Sequence, residues 1–505
     1  MAAAYAPAAQ AIDWRFEPRI GATTVFSDNI DQSATDAENG MSLSVTPGFS
    51  LTSHGSRRVQ AVMQYNLSAV TRFGGKKSDD LYHNLGAAGK AELVEDFLFI
   101  DGHANISQQL ISLLGSLADA SVNDRNRTTV GTYSISPYVL KRLGTFAVAQ
   151  ARYTASGSVF QDNAAADSSV NAFTTSLSSG TRFNDLSWSL GYSIRKANNR
   201  NAPTAAYNED VTLENAYAQA GYALSRQFRV FGTVGRDWND YLSTSGTSGS
   251  SYSVGLGWAP SRRTDFEVSA GERYFGRTFS LAGSHRTRAT NWTLRYSENV
   301  SDFTQQFLEQ SSRIFWMCNG RLVETTPDLN PPSGQAGCQG PITAGQLASD
   351  FFNYGVSLAD LVAAGLLNVS ATNGIYVIKN LTAGVFWNLG RLDMGLSAQD
   401  TRRLYQALAD AEDHIQSMSA SASYRLTPLT TANTSLTLTR NSLDSVLTNA
   451  AAREDDYLSL SVGLNRRFNK DLTGTLTFRH TQRDSNDANA DYDENSITAS
   501  ANLRF

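Results

Sequence analysis

Apolar and polar residues alternate one by one along most of this chain. In the last stretch, residues 497–505, Ile497 and Phe505 belong to the apolar set, while Thr498 and Ser500 belong to the polar set. A period of two indicates a β-strand with one apolar and one polar face. Because a strand that runs to the last residue needs partners on both sides, the pattern predicts that it closes a barrel against the first strand.

The same alternation recurs from one end of the chain to the other. It is clearest in five stretches, at residues 41–51, 59–73, 186–195, 417–426 and 458–464. Short turns, such as GSRR at 55–58, alternate with longer polar loops, such as 30–40. Short turns at one end and long loops at the other are typical of outer-membrane barrels, whose turns face the periplasm.

The alternating segments number about 22, with a range of 20 to 24. An even number lets the first strand, at 12–29, run outward and the last strand return to the periplasm. The sequence therefore predicts an all-β fold over residues 12–505: a single transmembrane, antiparallel, up-and-down β-barrel with short periplasmic turns and long extracellular loops. A propeller or a β-helix would show a fixed sequence repeat, and none is found.

Composition supports a barrel and argues against a helical membrane protein and a nucleic-acid-binding protein. Charged residues make up 18% of the chain, against about 25% in an average soluble protein. The mean hydropathy is −0.30, and no apolar run approaches the length of a transmembrane helix. The net charge of −5 is spread along the chain, so no basic domain suggests nucleic acid as a partner.

The N-terminal residues and the predicted fold indicate where the protein resides. Residues 1–11 are rich in alanine and resemble the end of a secretion signal, so we expect a residual signal or a disordered tail there. We expect no plug domain before the first predicted strand, which would count against a TonB-dependent receptor. The predicted location is the outer membrane of a Gram-negative bacterium, with membrane lipid and the barrel assembly machinery as partners.

The longest connection, residues 304–374, contains both cysteines of the chain, Cys318 and Cys338. An even number in a secreted protein favours a disulfide bond, with two unpaired thiols as the alternative. No further Cys or His pair lies at metal-ligand spacing. Apolar residues within 357–370 repeat at helical spacing. The insert could fold inward as a constriction or lid, or it could cap the barrel from outside.

One segment, residues 257–298, is more specific than a general barrel pattern. It contains Trp258, Pro260, the run Arg273-Tyr274-Phe275-Gly276 and the run His285-Arg286-Thr287-Arg288. The segment resembles the outer-membrane β-barrel family associated with the PEP-CTERM/exosortase system of exopolysaccharide-producing Gram-negative bacteria. The resemblance implies a link to exopolysaccharide export or to the biofilm matrix. It implies no settled biochemical activity, so no functional residue is carried over.

The last strand also resembles a recognition signal. Leu503 and the terminal Phe505 lie on its apolar face. A terminal aromatic residue on an alternating strand resembles the signal by which the assembly machinery recognises outer-membrane barrels.

Four arginines within the specific segment are expected at the periplasmic rim: Arg262, Arg263, Arg286 and Arg288. A basic rim could attract an anionic polymer or a periplasmic export component. The alternative is a solvated turn whose arginines pair with carboxylates of neighbouring strands. Those carboxylates would be Glu267, Glu272 and Glu298.

No catalytic, cofactor or metal site is predicted. His83 and His414 lie near outer loops with aspartates close by, but no serine occupies a recognisable nucleophile motif. The favoured function is a porin-like or gated conduit associated with exopolysaccharide export. A plugged scaffold or binding barrel for matrix polymer or export machinery is the alternative, and an outer-membrane hydrolase is less favoured.

Overall fold

The computed structural model describes residues 12–54, 56, 58–74, 78–110, 126–161, 166–200, 210–318, 321–325, 329, 338–344, 347, 374–408, 411–448 and 451–505. The N-terminal residues 1–11 and the helix predicted at 357–370 lie outside this description. The first fifteen strands are β1 (Asp13–Ser27), β2 (Gly40–His54), β3 (Val59–Phe73), β4 (Asp79–Val94), β5 (Leu98–Leu110), β6 (Arg127–Leu143), β7 (Ala147–Phe160), β8 (Asp167–Ser179), β9 (Leu186–Arg200), β10 (Val211–Ala223), β11 (Phe228–Trp238), β12 (Ser248–Ser261), β13 (Thr264–Arg273), β14 (Gly276–Arg286) and β15 (Thr290–Asp302).

The remaining elements begin with the insert and end at the C-terminus. They are α1 (Phe303–Ser311), β16 (Ile314–Cys318), β17 (Arg321–Glu324), β18 (Cys338–Thr343), β19 (Ile375–Leu389), β20 (Leu392–Tyr405), β21 (Glu412–Thr427), β22 (Thr430–Leu443), α2 (Ser445–Thr448), β23 (Arg453–Arg467), β24 (Leu472–Ser485), a 3-10 turn (Ala488–Ala490) and β25 (Tyr492–Arg504).

Twenty-two of these strands form one closed antiparallel sheet, β1–β15 followed by β19–β25. Each strand pairs with the next strand of this series, so β15 pairs with β19 across the insert. The last strand pairs with the first from Arg19 opposite Arg504 to Ser27 opposite Ser496. The amide of Phe505 extends this contact by donating to the carbonyl of Pro18 at 3.0 Å. The predicted up-and-down barrel of 22 strands is therefore confirmed, and no edge remains where β1 and β25 meet.

The two faces of the sheet differ as the alternation predicts. Apolar residues such as Val254 and Met418 lie on the outer surface, where they are 69% and 64% exposed. Small polar residues such as Ser42 and Thr401 face the lumen and are nearly inaccessible. This arrangement suits a wall that faces lipid outside and polar groups inside. Among the described residues, no helix is long and apolar enough to cross a membrane.

Aromatic side chains mark the periplasmic end of the outer surface. The rings of Phe228, Trp258 and Phe266 stack across three neighbouring strands, with centroids 6.3 and 5.9 Å apart. Trp292 of β15 and Trp387 of β19 meet edge to face. Such rings form the interfacial girdle of outer-membrane barrels, so the apolar band above them is the part embedded in lipid.

One seam in the wall is short. The ladder between β14 and β15 runs only from Arg286 opposite Asn291 to Leu281 opposite Tyr296. Beyond Tyr296, β15 stays paired with β19 up to Asp302 opposite Ile375. The outer part of β15 therefore separates from β14 and leads the chain into the insert.

The orientation of the two faces gives a direct prediction. Val462→Arg should lower the free energy of unfolding by about 2–4 kcal/mol, because this lipid-facing side chain lies near the middle of the apolar band. Thr174→Arg should cost well under half of that, because Thr174 faces a wide part of the lumen. Urea unfolding of both variants in lipid vesicles measures the difference. Equal costs would contradict the assignment of the two faces.

Candidate functional site

The site lies in the lumen, where the insert begins. Asp302 ends β15 and caps α1, since its carboxylate accepts a hydrogen bond from the Gln305 amide at 2.8 Å. The same carboxylate pairs with Arg195 of β9, on the wall that faces α1. A capping acid is also favourable at the positive end of the helix dipole. One carboxylate thus fixes the start of the helix and links it to the barrel.

The first turns of α1 pack against the opposite wall. Phe303 and Phe307 are almost fully buried, and both rings contact Phe160 of β7, with centroids 5.8 and 5.6 Å away. Val130 of β6 completes this cluster. Both wall residues occupy lumen-facing positions, where most neighbours are polar. The insert therefore has an apolar contact inside an otherwise polar lumen.

The second part of the insert is a small antiparallel sheet. β16 lies between β17 and β18, and all five of its residues are buried. Cys318 and Cys338 lie opposite each other in this sheet and form a disulfide bond. The predicted disulfide is confirmed, and it joins the two strands of the insert that contact the barrel wall.

This small sheet reaches deep into the barrel. Ile314 of β16 packs against Val62 of β3 and Ala88 of β4. Gln64 donates a hydrogen bond to the carbonyl of Pro341 at 2.7 Å. Val62 and Gln64 lie in the periplasmic half of β3. The described part of the insert therefore lies inside the barrel, crosses to the far wall and extends past the middle of the lumen.

A chamber of about 1050 Å³ remains beside the insert. Gln305 and Glu309 of α1 bound it on one side, and strands from β6 to β20 form its walls. Half of the lining side chains are hydroxyls or amides, including Asn215, Asn380 and Gln399. Its polar surface can exchange hydrogen bonds with water or with a hydroxyl-rich solute.

Buried ion pairs brace the outer half of the lumen. Arg403 and Asp413 lie 3.0 Å apart and are both buried, and Arg483 binds Asp455 at the same distance. Breaking such a pair by removing one partner leaves a buried charge, at a typical cost of about 3–5 kcal/mol. Sequence reasoning missed these pairs. Their signal was an arginine and an aspartate at lumen-facing positions near the outer ends of neighbouring strands.

The loop between β11 and β12 folds over the same end of the barrel. The hydroxyl groups of Tyr241 and Tyr274 lie 2.9 Å apart. Burial raises the pKa of both phenols, so the pair stays neutral at physiological pH. Further along this loop, the amide of Thr244 donates to the carbonyl of Gln406 at 2.9 Å. The loop therefore bridges two parts of the outer rim.

The four arginines expected at the periplasmic rim lie in adjacent turns and are all exposed. The amide of Arg286 donates to the carbonyl of Arg263 at 2.8 Å, which joins the two turns. The described ion pairs include none of these four guanidinium groups. The carboxylates of Glu267, Glu272 and Glu298 instead bind Arg229, Tyr252 and Tyr296.

Exposed cations continue around the periplasmic rim beyond the four predicted arginines. They lie in or beside the other short turns: Arg142, Arg182, Arg226, Arg391, Arg466, Arg467 and Lys470. Sequence reasoning missed this extension, although nearly every short turn carries an arginine or a lysine. We call the whole set of exposed cations the basic rim. Its role stays a prediction.

The histidines considered for hydrolysis lie far apart along the sheet, in β4 and β21. His83 contacts the hydroxyl of Tyr65 at 2.7 Å, and His414 contacts the carboxylate of Asp400 at 2.9 Å. Asp400 also accepts a hydrogen bond from Gln416. Within the described ranges, no cluster of three or more His, Cys, Asp or Glu residues could hold a metal ion.

Comparisons with known proteins bear on the fold. No protein-family model and no curated protein matches the chain. The FrpB iron transporter of Neisseria meningitidis has a similar structure, with a TM-score of 0.51 and 12% identity over 98% of this chain and 83% of that one. The siderophore receptor PirA of Acinetobacter baumannii gives 0.50 and 9% over 97% and 80%.

A mutant of the ferric enterobactin receptor PfeA from Pseudomonas aeruginosa is also similar, with a TM-score of 0.50 and 10% identity over 97% of this chain and 80% of that one. At such identities the likeness shows the fold alone. Together with the apolar outer band, it identifies the protein as an outer-membrane β-barrel with a transporter-like fold.

The role of Asp302 can be tested by amide hydrogen exchange in α1. Asp302→Ala removes both the helix cap and the contact with Arg195, so exchange should become roughly 5- to 30-fold faster for a loss of about 1–2 kcal/mol. Asp302→Asn keeps a capping oxygen and should give a smaller increase. The amides of β10 serve as the internal reference. Unchanged exchange in both variants would show that Asp302 does not hold the helix.

Proposed function

We propose that this protein is a gated outer-membrane conduit in which the insert is the gate, associated with export of exopolysaccharide or its precursors. One observation carries the proposal: the described part of the insert crosses the lumen and contacts the far wall from Phe160 down to Gln64. Barrels of this strand number are wide enough to need a plug. Here a segment of the wall connection itself fills part of that space.

The wall does not depend on the insert, which favours a gate over a permanent core. Asp302 and Ile375, the residues that flank the insert, lie directly opposite each other in the ladder between β15 and β19. The barrel therefore closes through its own strands. Movement of the insert would break side-chain contacts in the lumen without breaking the ladder around the barrel.

The positive charge of the basic rim favours the proposal that the cargo is anionic. Exposed guanidinium groups that bind no carboxylate among the described residues, such as Arg262 and Arg288, create a positive potential at the periplasmic mouth. The resemblance of residues 257–298 to the exosortase-associated barrel family agrees with an acidic exopolysaccharide. The competing proposal is a plugged scaffold, which would use the same rim to hold a polymer or an export component without passage through the lumen.

Ion conductance separates the conduit from the scaffold. Because Asp302 and Ile375 are paired, residues 303–374 can be replaced by the two-residue turn Asn-Gly, which suits a tight hairpin. We expect the intact barrel to be closed or to open rarely in a planar bilayer. The shortened barrel should conduct steadily, because the described part of the insert no longer crosses the lumen.

The control for this experiment is Phe26→Ala, which trims a lipid-facing ring and should conduct like the intact protein. Heat-modifiable migration in gels shows whether each variant is folded. A folded, shortened barrel that stays silent would contradict the conduit and leave the scaffold as the better account.

The basic rim is tested by changing Arg262, Arg263, Arg286 and Arg288 to Ala together. An acidic polysaccharide added on the periplasmic side should block the shortened barrel, and the four changes should weaken that block at least several-fold at low salt. The control is Arg440→Ala, because Arg440 lies on the outer surface near the other end of the barrel. Equal block in all three proteins would show that the rim does not attract the polymer.

A further inference from the structure

The chamber beside the insert has features that its polar character alone does not explain. We propose that it is a binding site for an acidic oligosaccharide, with Arg295 as the anchor for a sugar carboxylate and Phe386 as a platform for a sugar ring. This inference rests on the proposed conduit and assigns a ligand class to its lumen.

Among the residues that the structure describes, no carboxylate binds Arg295, a cation of the chamber. Three other arginines line the chamber, and each has an acidic partner: Arg195 pairs with Asp302, Arg273 with Asp237, and Arg313 with Glu324. None of the described ion pairs includes Arg295. Its strand neighbours across the ladder are Ala282 and Thr382, which are uncharged.

An exposed guanidinium group on this wall is suited to a planar anion. Its fork of N–H donors matches the two oxygens of a carboxylate. The rim would attract a polymer in general, whereas a single arginine on the wall would hold an anion at one defined place. A uronic acid unit of a polysaccharide carries such a carboxylate.

Phe386 is an aromatic side chain on the lumen face of β19, where Asn380 and Thr382 also line the chamber. Its ring lies over two glycines. A Cβ atom built on Gly395 would lie 3.0 Å from the ring, and one built on Gly384 would lie 3.3 Å from it. These glycines leave room for the ring to lie close to the wall. A ring in this position presents apolar surface to the chamber, against which the C–H groups of a sugar can pack.

The other walls supply groups that sugars use. Asn380 and Thr382 lie on the same strand as Phe386, and Gln399 lies on the next strand. On the opposite side, Glu309 of α1 can accept hydrogen bonds from sugar hydroxyls. Arginine, aromatic ring, amides and a facing carboxylate together make a site for a charged sugar rather than for a small inorganic anion.

Calorimetric titration of the folded, full-length barrel in detergent tests the site without requiring conductance. Tetragalacturonate is the acidic probe, and maltotetraose is the neutral probe of equal length. We expect tetragalacturonate to bind more tightly. Arg295→Ala should weaken it about tenfold, and Arg295→Lys, which keeps the charge but loses the fork, should weaken it less. Phe386→Ala should weaken binding of both probes.

Two further proteins make the result specific. The four-arginine rim variant should retain binding of tetragalacturonate at physiological salt, and Arg440→Ala should be unchanged. If the rim variant loses binding while Arg295→Ala keeps it, the chamber is not the site. Absence of binding to a folded barrel would also overturn the inference.

The outcomes for the chamber and for the conduit can be told apart. If the shortened barrel conducts but the full-length barrel binds no sugar, the chamber site is refuted and the conduit is not. A barrel that binds tetragalacturonate through Arg295 but never conducts supports the site and refutes the conduit.

Discussion

The closed ladder of backbone hydrogen bonds is the constraint on which the rest of the structure depends. Hydrocarbon offers no hydrogen-bond partner, so each lipid-facing strand must bond to a strand on either side. The pairing of β25 with β1 meets this requirement at the two ends of the chain. Once the ring is closed, the period of two assigns every residue to lipid or to lumen. Exposed Val254 and buried Ser42 are consequences of that one condition.

A barrel of 22 strands also has a wide, polar lumen that must be filled or blocked if the barrel is not to stay open. The insert fills part of it and contacts a few lumen-facing residues that break the polar pattern. Val62, Val130 and Phe160 occupy positions where serine, threonine or asparagine is usual, and each contacts the insert. The alternation places apolar residues on the lipid face and polar residues on the lumen face. An apolar residue on the lumen face is an exception, and it marks a place where another segment of the protein covers the wall.

Those exceptions also explain how far the sequence could be interpreted alone. Periodicity was enough for the strand number, the two faces and the sides of the membrane, because each depends on local alternation and on even parity. The disulfide followed from two cysteines within one loop. The path of the insert was left open between a lumen constriction and an outer cap, because its contacts, such as Ile314 with Val62, join residues distant in sequence. Predicting the pair of Arg403 and Asp413 would have required the register of their two strands. Singling out Arg295 would have required knowing which other arginines of the lumen bind carboxylates.

The distribution of interactions indicates which part of this molecule can move. The wall is held by continuous ladders and, at its outer end, by buried pairs such as Arg483 with Asp455, so displacement of a strand would break many bonds at once. The described insert is held by a phenylalanine cluster, the packing of Ile314 against the far wall, the Arg195–Asp302 pair and side-chain hydrogen bonds. Its first contact lies next to the one seam, between β14 and β15, where the ladder is shortest. A force on the insert would therefore break side-chain contacts within the lumen before it broke the backbone hydrogen bonds of the barrel wall.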